Sequence, residues 1–349
     1  MEELSHTAKL LHTEQGACHV DNAASYLCSI SSMSAFMEIS PLFHGLFISL
    51  LHNRFMRCDL HVHSTASGMC NTPGLSRVCR ESYNDPLEVY DRLKRRGMSI
   101  VTMTDHDSID ALEALRRFPD FFLSEEVTAR MPSGTEMHLG VYGIAERDHT
   151  EIQRRRKDFI ALLMYLTERK LFFSVNHVFS GLTGRREGDD FSWFASYVPA
   201  FEVRNGQMWP TANVAAECLA RRLGKIGVAG SDAHTLSGVG LTYTEVLGVR
   251  TVDEFLGGLR SGSGIVHGVD GSLAKLTIDV YRIALAFFRE KPWALPVLPL
   301  ITLIPAITAG HWLNEIRFCQ KWSAILESEG RRPRLLWKLD SGLEANPAS

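Results

Sequence analysis

From residue 57 onward, short apolar runs alternate with longer segments in which apolar positions recur every three or four residues. The runs 57–63, 99–104, 121–126, 137–142, 172–176, 200–203 and 226–229 are short, and several are rich in β-branched or aromatic residues, so they predict strands. Helix signals separate several of them. Asp85-Pro86 offers an N-cap and a first-turn proline, and Gly97 ends the helix they open. Residues 149–170 predict one long amphipathic helix and 209–223 another. A last helix begins at 253–256 and breaks at the Ser-Gly-Ser-Gly run 261–264. Alternating strands and helices predict an α/β class with a mostly parallel sheet, and seven strands predict a barrel rather than an open sheet.

The flanks read differently. Residues 1–55 are frequent in Ser, Ala, His and Met, sparse in turn signals, and carry one compact apolar run at 41–51. They are expected to be a poorly ordered N-terminal extension or the product of a start placed too far upstream, with Met56 opening the domain 56–268. A helical cap on the barrel is the alternative. Residues 269–349 are expected to be a helical C-terminal extension that starts with a helix at 272–289. The segment 293–310 has no charge over 18 residues, which borders on the length of a membrane span, but Pro296, Pro299 and Pro305 oppose a straight helix. A proline-broken helix packed on the domain or on a partner subunit is expected ahead of membrane contact. The basic and then polar residues from about 331 are expected to fray.

Composition narrows the class. A net charge of −3 argues against a dedicated nucleic-acid binder, which is usually markedly basic, while leaving room for a local basic groove. The seven cysteines are odd in number and form no CxxC pair, which suits free thiols in a reducing compartment. With no basic-then-apolar leader at the N-terminus, a cytoplasmic location is the expectation.

Candidate chemistry gathers at strand ends. In Cys58-Asp59-Leu60-His61-Val62-His63-Ser64 an extended backbone points His61 and His63 to one side, where both imidazoles can meet one metal ion. Alone, that pair is weak evidence. His106 in Thr104-Asp105-His106-Asp107, Glu126, His177, and Asp232 and His234 in Gly-Ser-Asp-Ala-His likewise fall at or just after the C-terminal end of a predicted strand. That rim is where parallel α/β folds build their sites. His138 instead begins its strand, so this strand is expected to run opposite to its neighbours.

Asp-Leu-His-Val-His-Ser, Thr-Asp-His-Asp, Glu-Glu-Val-Thr, His-Leu-Gly-Val-Tyr-Gly, Val-Asn-His and Gly-Ser-Asp-Ala-His resemble, in order, the motifs of the PHP (polymerase and histidinol phosphatase) family over residues 57–268. The resemblance implies a distorted (β/α)7 barrel that acts as a metal-dependent phosphoesterase. It implies one metal on His61, His63, Glu126 and Asp232. Glu126 would bridge to a second metal on His138 and His177, and His106 and His234 would hold a third in members that have one. Such members place a further His or Asp a few residues after the HxH, where Ser67-Gly68-Met69 offers neither. Two divalent ions, Zn, Mn or Fe, are therefore expected, with a third only if the longer segment through Cys70, Cys79 and Glu81 supplies a substitute ligand. Without a third metal, His106 and His234 would support the pair.

Asp105 and Asp107 flank His106, and either suits the task of holding a ligand imidazole in its working tautomer. For Asp107, capping a helix at 108–117 competes. Arg185 and Arg186, in a Gly-rich loop after His177, are candidates for gripping substrate phosphate, with plain loop solvation as the alternative. Glu202 and Asn205 are placed to line the mouth, and the run 154–157 is expected to be a solvated helix face. His234 is a candidate proton donor if it is not a ligand.

The expected activity is hydrolysis of a phosphorylated small molecule or nucleotide by a metal-activated hydroxide. Competing readings are an exonuclease trimming short nucleic-acid ends, a non-catalytic metal-binding module, and an amidohydrolase-like enzyme. The last would require a lysine at a strand end, and none is there. Oligomeric state is left open.

Overall fold

Strands form where β-branched and aromatic residues meet buried positions, and they do so more often than the apolar runs alone suggest. The computed structural model describes residues 55–70, 74–183 and 185–330, all within the unit Phe55–Ser349. Its strands are β1 (Phe55–Cys58), β2 (Ser124–Arg130), β3 (Glu136–Tyr142), β4 (Phe172–Val175), β5 (Ala200–Asn205), β6 (Ile226–Gly230), β7 (Thr242–Leu247) and β8 (Gly264–Gly268). The helices are α1 (Pro86–Arg95), α2 (Leu112–Leu115), α3 (Glu146–Arg155), α4 (Phe159–Glu168), α5 (Gly188–Tyr197), α6 (Pro210–Arg222), α7 (Val252–Arg260), α8 (Leu273–Glu290) and α9 (Ile304–Gly330). The expected N-terminal extension lies outside the described residues except for Phe55, which opens β1, and so does the tail from 331.

The strands make two sheets, one in the order β2-β3-β4-β5-β6 and one in the order β1-β7-β8. Only β4–β5 and β5–β6 pair in parallel, and the other pairs are antiparallel, so the sheet is mixed rather than mostly parallel. The expected reversal of the His138 strand is observed, because β3 is antiparallel to both neighbours. The strand expected at 57–63 leaves its ladder at Cys58, and 99–104 forms no ladder. Their backbones bond singly instead: Thr104 N–H donates to Val62 O (3.0 Å), His63 N–H to Ala233 O (3.3 Å) and Asp232 N–H to His61 O (2.6 Å). Isolated parallel bridges join Val101 to Phe121 and His106 to Glu126. The ladders themselves leave the five-stranded sheet open.

β7 and β8 were not expected. Thr242, Thr244 and Val246 are buried on one side of β7, and its other edge carries β1. The single helix expected at 149–170 is two. Asp158 accepts from Ala161 N–H (3.1 Å) and caps α4, so the chain breaks after α3. Asp107 does not cap a helix at 108–117. It accepts from Thr128 N–H (2.9 Å) and pairs with Arg156 (3.2 Å). In the basic run, Arg154 and Arg155 pair with Glu151 on their own helix, as a solvated face would.

The main core lies between the five-stranded sheet and α3–α6, and α9 contributes Cys319, Trp322 and Leu326 to it. The Trp322 ring is 5.2 Å from Phe191. Arg222 donates to Leu326 O (3.1 Å), and the buried Glu315 accepts from Gly181 N–H through both oxygens (3.1 and 3.2 Å). Between α8 and α9, Pro292–Leu303 winds as a 3-10 helix containing Pro296 and Pro299, which cannot donate to an α ladder. Ala294 and Ile304 are buried there, while Trp293 (67%), Leu300 (60%) and Ile307 (62%) stay exposed. By length and composition, Pro292–Ser328 is able to cross a membrane, with 17% of its most apolar window buried.

Candidate metal centre

The HxH segment is seated by alternation. Leu60 and Val62 enter hydrophobic clusters, while His61 and His63 share the opposite side with their Nε2 atoms 3.1 Å apart. Asp59 anchors the segment by accepting from the backbone N–H groups of His61 (3.2 Å), Ser231 (2.8 Å) and Gly240 (2.8 Å). Burial pushes its carboxyl up to about 6 against those hydrogen bonds. β6 runs so close that a Cβ on Gly230 would lie 2.3 Å from His61 Cβ, so only glycine fits.

Neighbours set both tautomers. His61 Nδ1 is 2.8 Å from Glu202 Oε1, and an ionised carboxylate only accepts, so Nδ1 carries a proton and Nε2 is the nitrogen left to offer a lone pair to a cation. His63 Nδ1 is 3.1 Å from Ser67 Oγ, whose own proton goes to Asp105 (2.8 Å), with the same result. The two lone pairs meet Glu126 Oε2 (3.1 and 3.4 Å) and Asp232 Oδ1 (3.5 and 3.3 Å). Asn205 donates to Glu202 (2.8 Å) and to Asp232 (3.0 Å), tying the ligand to the orienting group. Asp232 (φ 49°) and His177 (φ 29°) both sit in the left-handed region, where strain is commonly held at functional sites.

The other oxygen of Glu126, Oε1, faces His138 Nδ1 (3.4 Å) and His177 Nε2 (3.2 Å) and accepts from Asn176 (2.9 Å). At the rim, His106 Nε2 stands 3.2 Å from Glu126 Oε2 and 3.3 Å from Glu81 Oε1, and His234 Nε2 is 3.6 Å from the same Glu81 oxygen.

Glu81 thus stands where the sequence pattern lacks a ligand. Gly68 adopts φ 78° and ψ −140°, a conformation closed to residues with a Cβ, so that position cannot readily carry the side chain. The loop turns back instead. Cys70 N–H donates to Cys79 O (3.0 Å) and Glu81 N–H to Gly68 O (3.1 Å), which brings Glu81 to the imidazoles. Cys79 is turned elsewhere, its thiol lying against the Tyr83 hydroxyl (3.9 Å).

The charges fit cations. Burial works against ionising Glu126, yet His61, His106 and His138 hold it well below the carboxylate range. Asp232 is likewise held low by His61 and His63 against burial. Burial opposes protonation of His61, but Glu126, Asp232 and Glu202 raise it well above its ordinary value. His63 falls to about 3, through burial and the neighbouring His234. Burial also opposes the charge on His106, which Glu126 and Glu81 nevertheless lift to about 9. Glu126 Oε2, His106 Nδ1, His138 Nδ1 and His177 Nδ1 are buried without a hydrogen-bond partner. Ligand atoms within 4.8 Å of one another form the groups His61/His63/Asp232, His61/Glu126/His177, His106/Glu126/His138 and His63/His106/His234. Anionic carboxylates amid converging imidazole nitrogens make a donor set suited to divalent Zn, Mn or Fe.

All eight expected ligands converge, whereas the two expected arginines stand apart and Asp105 takes the imidazole-steadying task expected of it. Arg186 is buried, donates to Glu136 O (3.1 Å) and Thr183 Oγ1 (3.0 Å), and lies over the Phe194 ring, so it braces its own loop. Arg185 is exposed and lines neither of the clefts found beside the cluster. Asp105 is buried beneath Ser64 and Ser67, accepting from both, and acts on His63 rather than on substrate. Glu202 and Asn205 do not merely line the mouth, because they orient ligands. Asn176 and Asp59 were missed, although both lie within the motifs that carry the histidines.

The family model described as PHP-associated matches residues 210–263, which include Asp232 and His234. Among solved structures, the chain is similar to a two-domain protein from Bacteroides vulgatus containing a predicted PHP-like metal-dependent phosphoesterase (14% identity, 67% of this chain and 69% of that one, TM-score 0.48). It is also similar to PsfC from Pseudomonas syringae (18% identity, 67% and 98%, TM-score 0.48). A third likeness is to the lesion-specific endonuclease PfuEndoQ from Pyrococcus furiosus (14% identity, 63% and 60%, TM-score 0.44). No curated protein matches.

Proposed function

We propose that this chain is a metal-dependent phosphoesterase of the PHP family, one that hydrolyses a phosphomonoester or nucleotide at the cluster around Glu126. Glu126 carries the reading. It is one buried carboxylate with Oε2 facing His61, His63 and His106 and Oε1 facing His138 and His177, all at 3.1–3.4 Å. A carboxylate in that position suits two cations about 3.5–4 Å apart, the spacing that clamps both oxygens of a phosphoryl transfer. His61, His63 and Asp232 would complete one position, His138 and His177 the second, and Glu81, His106 and His234 a third. Divalent cations there supply stabilisation of phosphoryl charge and a water acidic enough to act as nucleophile at neutral pH.

The chain's own residues do the positioning. Glu202 and Ser67 engage Nδ1 of His61 and His63 and so leave Nε2 of each as the nitrogen that would meet a cation. Asn176 and Asn205 hold Glu126 and Asp232 in place through their amide groups. His234, lying against Glu81 and Asp232, takes a ligand role rather than that of proton donor. The single bonds among His61–His63, Thr104, Glu126 and Ala233 support reading the two sheets as parts of one distorted barrel.

The test is to strip the protein with a chelator, reload it with Zn, Mn or Fe, and assay nucleotides and sugar phosphates. Two to three metals per chain and hydrolysis only after reloading are expected. A fully loaded protein that turns over no phosphoester would overturn the proposal.

A further inference from the structure

From Pro292 to Asn314 the chain carries no Asp, Glu, Lys or Arg. Its inward positions are filled. Ala294, Ile304 and Thr308 are buried, Thr308 Oγ1 lies 2.8 Å from Thr277 Oγ1 of α8, and the Trp312 ring is 5.8 Å from Trp209. Its outward positions are apolar as well, with Trp293, Leu295, Val297, Leu300, Leu303 and Ile307 exposed. Val297, Leu300 and Leu303 recur every third residue, the period at which side chains of a 3-10 helix line up. Ile307, four residues on, continues the row along the first turn of α9. Single exposed apolar residues are ordinary on a protein surface, whereas an aligned row calls for a partner.

The anchoring of α9 decides how that row can meet a bilayer. The 12 residues of 3-10 helix rise about 24 Å, short of the ~30 Å of a hydrocarbon core. The helix that follows cannot make up the difference, because Trp312, Glu315 and Trp322 hold it to the domain. The segment is therefore built to lie along a surface and not to cross it. Cations flank it. Arg289 and Lys291 stand before it and the exposed Arg317 after it, none of them in an ion pair among the described residues. Glu290, between the first two, is paired with Arg80 at 2.8 Å. The sequence beyond α9 adds Arg331, Arg332, Arg334 and Lys338 before the next acid, Asp340. A second copy of this face would bring the same cations and, between Pro292 and Asn314, no carboxylate to answer them. An anionic lipid surface answers both halves of the pattern, its acyl boundary taking the apolar row and its phosphates the flanking cations. Trp293 suits the level between the two, where an amphipathic ring is at home.

We infer that this protein docks peripherally on anionic membranes through Trp293–Ile307, with Arg289, Lys291 and Arg317 at the level of the headgroups. The docking draws on no metal and stands apart from the phosphoesterase reading. The Arg80–Glu290 pair also ties the start of this face to the loop that carries Glu81.

Flotation of the full-length protein with phosphatidylcholine vesicles, with and without phosphatidylserine, measures the docking directly. Binding to the phosphatidylserine vesicles that weakens with added salt is expected. Leu300→Glu combined with Ile307→Glu, both at exposed positions, is expected to lower partitioning at least about tenfold. Lys291→Gln is expected to lower it about fivefold. Melting temperature and metal content equal to those of the unmodified protein show that the variants are folded. Tryptophan fluorescence is expected to be quenched by lipids brominated near the headgroup, and Trp293→Phe to remove most of that quenching. Failure of the unmodified protein to bind anionic vesicles would overturn the inference, as would binding that the double glutamate variant leaves intact. Equal quenching by lipids brominated at the chain ends would overturn the surface placement. A lipid-free dimer that does not bind vesicles, and that the double variant converts to monomer, would assign the face to a second copy instead.

Discussion

At the inner position, formed by His61, His63 and Asp232, each ligand is backed by a partner. Glu202 backs His61, Ser67 and Asp105 back His63, and Asn205 backs Asp232, all of them buried. At the rim the support thins. His106 Nδ1 has no partner, and the side chains of Glu81 and His234 are 19% and 22% exposed. The inner ligands come from segments bonded to one another through the backbone, whereas Glu81 arrives on a loop that folds back from Gly68. The contrast teaches where affinity should reside. An imidazole whose far nitrogen is held loses little freedom on binding a cation, and one that is free loses more. Under the proposed function, the inner positions would retain metal and the rim would exchange it.

Glu126→Gln should break the comparison outright, since Glu126 serves both sides. Metal analysis is expected to show the loss of at least one ion per chain, with phosphoester hydrolysis falling roughly 100-fold or more. Retention of full activity with all metals bound would mean that Glu126 is not a bridge. Glu202→Gln probes the inner side alone. It keeps the size but weakens the hold on His61 Nδ1–H, and metal affinity there is expected to drop by roughly 10- to 100-fold while the rim keeps its ion. Competition with a chromogenic chelator reads that difference. Glu81→Gln probes the rim and is expected to remove only the weakest ion, detected as one metal fewer per chain with the other two unchanged. Equal loss from all positions would erase the distinction between inner side and rim.

The smallest effect expected lies outside both regions, in the carboxylate that fastens α3 to α4. Burial raises the carboxyl of Asp148, but the Ala145 N–H, Tyr165 and Arg169 hold it below its ordinary range. Its stabilising contribution is thus complete above the ordinary aspartate pKa and is lost as pH falls through the lowered native value. Asp148→Asn should cost about 1–3 kcal/mol near neutral pH. In denaturant melts at successively lower pH, the gap from the unmodified protein should shrink, with the variant's metal content matching that of the unmodified protein at each pH. A gap that widened on acidification would show that the carboxylate is not the stabilising form.

The metal ligands were legible because local pattern alone presents them: a period of two in His61-Val62-His63, and short motifs after apolar runs. The reversed strand was legible for the same reason, from the place of His138 within its run. Glu81 was visible only as one of three substitutes, because its approach to His106 is a tertiary contact set by the backbone at Gly68. Arg186 misled because an arginine in a loop near a site reads the same whether it grips substrate or, as here, the carbonyl of Glu136. β7 carried its signal, the alternating Thr242, Thr244 and Val246, but each of its partners, β1 and β8, is distant or glycine-rich in sequence. The break between α3 and α4 lay in Asp158, a cap inside what periodicity alone runs together.

The link from Glu315 to Gly181 bears on how far this protein can be shortened. Gly181 lies four residues beyond His177, and the helix that supplies Glu315 also plugs Trp322 into the main core. The segment after Gly268 is therefore no passenger. A fragment that stopped there would leave an open seam over Phe191 and an untethered loop beside a metal ligand. The smallest autonomous unit of this protein is expected to extend well into α9, past the point where its motifs end.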